Sequence, residues 1–184
     1  GIFIGKIYSC SIFYGNGTSL DVKNSVWRDK GSGVISDLGP HLFDLIYFIF
    51  EKKLDLRLIV KNNFEARSPD HVILDSYVDN IYYNLEMSLC MWKNTFKFQI
   101  IGEKGIILMD SLCKWGPSTL KIMSRIYPSG KPKEKTLIEK KSDPTRKLEH
   151  QYFQELIKNK IQTKLNNDLL IYKTLKSIEK KYEN

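Results

Sequence analysis

Three cysteines in 184 residues, at positions 10, 90 and 113, are odd in number and far apart, which argues against a disulfide framework. No C-x-x-C occurs, which argues equally against a thiolate zinc site. Free thiols fit a reducing compartment, so a cytoplasmic protein is expected. No apolar run approaches the ~20 residues of a membrane helix. The longest, Leu42 to Phe50, is short and interrupted by Asp44, so no membrane span is expected. The chain opens on Gly1, without a charged n-region or a small-residue cleavage site. That pattern predicts no signal peptide and a sequence that begins inside a larger protein.

What is present is enough for a core. Hydrophobic residues make up 42% and aromatics 12%, which marks a globular chain rather than a disordered one. Its length suits one domain spanning residues 1–184, with no need of covalent staples. The net charge is +8. The excess is spread through lysine-rich loops and the C-terminal end rather than gathered in one stripe, and no nucleic-acid-binding motif accompanies it. A solvated surface is therefore expected, and no nucleic-acid partner.

Periodicity predicts the elements. Tyr8, Cys10, Ile12 and Tyr14 alternate onto one face of a strand over 7–14, which Gly15-Asn16-Gly17 ends. Leu38, Leu42, Leu45, Ile46 and Ile49 recur at helical spacing within 34–50, with Pro40 expected to bend the helix or start a new first turn. Leu54, Leu56, Leu58 and Val60 alternate with Asp55, Arg57, Ile59 and Lys61 as a strand buried on one face. Residues 71–78 and 81–92 read as strands joined at Asp79-Asn80, and 96–101 with 106–109 as a hairpin turning at 102–105, so Glu103-Lys104 is turn. Short strands at 120–127 and 136–138 follow. Two helices close the chain, the first capped by Asp143 with Pro144 at its first position, the second capped by Asn167 or Asp168. This order is α+β: an open, mostly antiparallel sheet with helices packed on one face.

Chemistry concentrates in Gly31–Asp44, GSGVISDLGPHLFD. Asp37 and His41 are four apart, neighbours on one face of a helix, and Asp44 lies three further on. An imidazole near a carboxylate is an acid–base unit that works near neutral pH. Trp27 and Arg28 can add a stacking wall and a fixed cation. The same spacing suits a surface pair or a capping contact. A metal would need a further ligand that the sequence does not identify, so none is expected. His71 and His150 read as surface residues. Trp92 and Asn94 read as core or dimer packing at a strand end, although a substrate loop can also lie there. Tyr82, Tyr83, Met87 and Met91 are candidates to face a second subunit.

The stretch WRDKGSGVISDLGPHLFDL resembles the start of the C-terminal domain in the Gfo/Idh/MocA family. That pattern runs W-R, a short spacer, then G-G-G-x-x-x-D-x-G-x-H-x-x-D. Trp27, Arg28, Gly31, Gly33, Asp37, Gly39, His41 and Asp44 fall in place, with Ser32 replacing the middle glycine. Gly5–Ser11 is similar to the family's first strand after its nucleotide domain. Ile100–Asp110 is similar to its I-x-G-x-x-G-x-x-x-x-D hairpin, and the closing helices, with Glu149 and Phe153, also fit.

The resemblance implies the substrate-binding domain of an NAD- or NADP-dependent oxidoreductase acting on a sugar or polyol. His41 would take the proton of a substrate hydroxyl. Asp37 would position that hydroxyl and the imidazole, with Trp27, Arg28 and Asp44 contacting substrate. It also implies a homodimer or higher homo-oligomer through the open sheet face. The family's nucleotide domain, with its glycine fingerprint and E-K-P lysine, has no counterpart here. The glycines at 15–17 and 31–33 do not extend to G-x-G-x-x-G, and Glu51-Lys52-Lys53 and Glu139-Lys140-Lys141 are not E-K-P. Cofactor binding is therefore expected mostly outside this chain, and the chain alone is expected to be inactive. A non-catalytic dimerisation or ligand-binding module derived from the family is the alternative.

Overall fold

A computed structural model describes residues 4–112, 116–162 and 165–182. Its elements are β1 (Ile7–Gly15), α1 (Ser19–Lys23), α2 (Val34–Phe50), β2 (Arg57–Asn62), β3 (His71–Val78), β4 (Ile81–Ser88), β5 (Thr95–Gly102), β6 (Gly105–Asp110), β7 (Ser118–Ile126), β8 (Gly130–Glu139), α3 (Thr145–Lys158) and α4 (Asn166–Tyr182). The strands form one open sheet in the order β2-β3-β4-β1-β5-β6-β7-β8. The fold is α+β and mostly antiparallel, as the periodicity predicts.

One pairing breaks the meander. β1 enters the middle of the sheet, parallel to β4 (Ile12 beside Leu85) and antiparallel to β5 (Ile12 beside Phe98). A parallel neighbour requires a crossover, and α2 lies on that connection. Its buried side chains Ile35, Leu38, Leu42 and Ile46 join a core with Cys10 and Ile12 of β1, Val72 and Leu74 of β3, Tyr83, Leu85 and Met87 of β4, and Phe96 and Phe98 of β5. α4 packs on α2 and buries Ile178. Burial pushes the Cys10 thiol and the Tyr83 phenol up to about 12 each, so both stay protonated core groups.

Several boundaries move. The strand expected from Leu54 starts at Arg57, because Leu54 and Leu56 are buried before the ladder begins. β4 ends at Ser88, not Trp92, and Trp92 stands fully exposed rather than packed in a core. The last helix starts at Asn166, ahead of both expected caps. α2 runs through Pro40 without interruption. The carbonyl that proline leaves without a donor belongs to Ser36, which is exposed and open to water. Asp79 and Asn80 both take positive φ (53° and 61°), as the tight turn between β3 and β4 requires. Asp143 Oδ1 accepts the Thr145 N–H at 3.0 Å, as a cap there would, but α3 starts at Thr145, so Pro144 stands at the cap position rather than the first helical one.

The subunit-facing set needs the largest correction. Along β4, Tyr83 and Met87 point into the helix-covered core and are fully buried, whereas Tyr82 is exposed on the other face. Alternation shows which residues share a face but not which face is covered. Met91 lies beyond the strand.

Candidate functional site

A chain of contacts fixes the loop between α1 and α2. Asp29 is buried, and its carboxylate accepts the Ser68 N–H (2.6 Å), the Arg67 N–H (3.2 Å) and Arg67 Nε (2.9 Å). Burial alone would raise its pKa. The hydrogen bonds from Ser68 and Arg67 outweigh that and hold the carboxyl well below the usual carboxylate range. The Val34 N–H donates to Pro69 O at 2.7 Å, tying the start of α2 to the same loop. Gly33 takes φ 51° and ψ −121°, a conformation left to glycine, and a Cβ there would run into the Pro69 carbonyl. The glycine is required by that close approach.

Ser32, where the family pattern has glycine, is buried and used. Its hydroxyl bonds Ser36 Oγ and donates to Glu179 Oε1 of α4 at 2.9 Å. The departure from the pattern thus ties the N-terminus of α2 to the last helix. The Lys176 ammonium, which donates to Glu179 Oε2 at 2.7 Å, holds the Glu179 carboxyl below its ordinary value against burial, with the Ser32 bond adding to it.

From this anchored start, α2 presents Asp37, His41 and Asp44 in successive turns, all exposed. They open onto two neighbouring recesses. The first, about 260 Å³, is lined by Trp27, Arg28, Lys30, Ser36 and Asp37. Arg28 Nη2 donates to Asp37 Oδ2 at 3.3 Å, and Trp27 stands 79% exposed at the rim. The second, about 300 Å³, holds His41 and Asp44 against Tyr14, Phe48, Phe96, Phe98 and Met109. The structure thus brings Trp27, Arg28 and Asp37 together and sets His41 and Asp44 in the adjoining recess. Asp37 is engaged by Arg28 rather than by His41.

Three side chains that shape the candidate site lay beyond sequence reasoning. Tyr14 packs edge-on against the His41 ring, centroids 6.0 Å apart and planes at 79°. Alternation places it inward with Cys10 and Ile12, but no local signal says which turn of α2 lies over it. Asp29 and Arg67 meet across 38 residues, which no local pattern reveals. Burial, with the charges of Asp37 and Asp143, raises the Tyr14 phenol above its ordinary value and keeps it a proton donor.

Elsewhere, His71 lies half-buried 3.8 Å from Glu86, and His150 is exposed. No group of three metal-ligating side chains occurs among the described residues. No described helix is long and apolar enough to cross a membrane. Cys113 lies outside the described residues. Cys90 is pushed up to about 11 by burial and the nearby Asp70 and Glu65 charges, which removes it as a nucleophile at neutral pH.

A family profile described as the GFO/IDH/MocA C-terminal domain matches residues 3–108, more than half of the chain. Glucose-6-phosphate 3-dehydrogenase of Bacillus subtilis (strain 168) is 25% identical over 118 residues, covering 55% of this chain and 34% of its own. A protein assigned as an NADPH-dependent oxidoreductase, from Desulfitobacterium hafniense DCB-2, superposes with a TM-score of 0.71 at 16% identity, over 97% of this chain and 56% of its own. Levoglucosan dehydrogenase in complex with NADH and levoglucosan gives 0.59 at 18%, over 73% and 40%. This chain therefore spans about a third of its curated relative and about half of these structures, and the structural likenesses speak for the fold.

Proposed function

Because this chain belongs to the Gfo/Idh/MocA C-terminal domain family, we propose that it is the substrate-binding and dimerisation domain of a cytoplasmic NAD- or NADP-dependent dehydrogenase of a sugar or polyol. The observation that supports this most is the exposed face of α2, where Asp37 and His41 stand one turn apart over adjoining recesses. In this reading the His41 imidazole takes the proton of the substrate hydroxyl as its carbon is oxidised. Asp37, held by Arg28, accepts a hydrogen bond from a substrate hydroxyl. Trp27 offers a flat apolar surface to the C–H face of the ring, and Asp44 contacts the part of the substrate that enters the second recess.

The described residues do not offer a cradle for the cofactor. The first N–H groups of α2, where a pyrophosphate would sit, already donate to the Pro69, Ser32 and Gly33 carbonyls. α1 is only five residues long. The dinucleotide is then held by a nucleotide-binding domain outside these residues, and the chain alone is inactive. Its open sheet face, with a recess of about 470 Å³ among Phe13, Glu86, Lys97, Leu108 and Asp110, meets a second copy. Both charge signs lie on this face, which suits a self-complementary contact.

Reduction of NAD⁺ or NADP⁺ against a panel of sugars and polyols tests the reading. The 184-residue chain alone should give none, and the chain joined to a nucleotide-binding domain should turn over. Turnover by the chain alone contradicts the reading. A second reading, a non-catalytic ligand-binding module, is favoured by the engagement of Asp37 with Arg28 instead of His41. It predicts sugar binding without turnover in the joined protein.

A further inference from the structure

We propose that Tyr14 is the positioning residue of this site, its ring rather than a carboxylate fixing the orientation of the His41 imidazole. The proposal builds on the reading of His41 as proton acceptor. An imidazole that accepts a proton from a substrate must aim one ring nitrogen, and a carboxylate on the other nitrogen commonly does the aiming. Here Asp37 is turned to Arg28, with Nη2 and Oδ2 at 3.3 Å. The His41 ring has no hydrogen bond or ion pair among the described residues. Its ring contact is a T-shaped one with Tyr14, centroids 6.0 Å apart and planes at 79°.

Tyr14 is itself held. It sits at the end of β1, the strand between β4 and β5, opposite Phe96 in the β1–β5 register. The two rings also meet edge-on, at 6.0 Å and 77°. Phe96, Tyr14 and His41 thus form a row of alternating ring planes running from the sheet to α2. An aromatic ring has few rotatable bonds, and edge-to-face contacts favour one orientation over others. Both ends of the row stand on regular elements, which hold a group more closely than loops do. The tyrosine hydroxyl has no hydrogen-bond partner among the described residues, so the ring supplies the contact and the hydroxyl is not needed for it.

Two variants test this in the 184-residue chain by NMR. In the unmodified chain, NOEs should connect Tyr14 ring protons to His41 Hδ2 or Hε1. Tyr14→Phe should keep those NOEs and the His41 ring resonances. Tyr14→Leu should move and broaden the His41 resonances while His71 and His150 stay in place. Absent NOEs, or His41 signals unmoved by Tyr14→Leu, overturn the proposal. In the active dehydrogenase, Tyr14→Leu should lower kcat at least about 10-fold with KM little changed, and Tyr14→Phe should restore it. A Tyr14→Leu enzyme of full kcat beside a dead His41→Ala enzyme overturns the brace and leaves the proton-acceptor reading standing. A fully active His41→Ala enzyme removes that reading instead, and the NMR result still decides the brace.

Discussion

Arg28 reaches Asp37 across nine residues, Nη2 to Oδ2 at 3.3 Å, and both side chains line the recess that Trp27 also lines. Both partners are partly exposed, Asp37 by 41%. Exposed pairs contribute at most about 1 kcal/mol, so stability does not explain this one. Arg28→Gln should leave the denaturation midpoint nearly unchanged, while KM for the sugar rises more than kcat falls. Urea unfolding beside steady-state kinetics separates the two effects. A large loss of stability with unchanged KM would make the pair structural.

Gly33→Ala should cost about 2 kcal/mol or more, because the backbone angles and the Pro69 carbonyl both exclude a Cβ. Relaxation of the clash would displace the first turn of α2. Denaturant unfolding measures the loss, and a stability within error of the parent contradicts the required close approach.

Ser32→Gly restores the residue of the family pattern and removes the hydroxyl that bonds Glu179. The loss of one such bond is worth about 1 kcal/mol. Amide exchange should rise in α4 more than in β3 or β5. Unchanged protection of α4 would show that the Ser32–Glu179 contact ties nothing down.

The acid limb of stability should report Asp29 and Asp70, both held below the usual carboxylate range. For Asp70, burial raises the pKa, and the N–H groups of Ala66, Phe64 and Glu65 outweigh it. The unfolded chain binds these protons more readily than the fold does, so their contribution is present above about pH 4. It is lost as pH falls through the folded values. Asp70→Asn should lower stability at neutral pH and flatten its decline between about pH 4 and 2. Unfolding curves across that interval check it, and an unflattened decline assigns the acid limb to other groups.

The open sheet face, not the Tyr83 face, should carry self-association. Leu108→Glu should convert a dimer to monomers in light scattering without unfolding the chain. A dimer that survives this substitution would move the interface elsewhere.

The legible parts of the fold are the local ones. The α2 stripe and the Asp79-Asn80 and 102–105 turns rest on spacing and turn chemistry within a few residues. The insertion of β1 beside β4 was not legible, because strand register between distant segments depends on the crossover and not on either strand's pattern. Alternation along β4 does not say which face the helices cover, so Tyr83 and Met87, expected to meet a second subunit, lie in the core instead. Helical spacing within Gly31–Asp44 made the shared placement of Asp37, His41 and Asp44 on α2 legible, but the pairing of Asp37 was not. Helical spacing puts Asp37 near His41, and only the loop held by Asp29 and Arg67 brings Arg28 in to take the carboxylate.

The central claim is that His41 on this face of α2 takes the substrate proton, and His41→Ala in the active dehydrogenase tests it most directly. General-base catalysis contributes about 10² to 10⁴ in rate. The account predicts a loss of that order in kcat for NAD(P)⁺ reduction, with the fold intact by circular dichroism. Undiminished turnover by His41→Ala would contradict it.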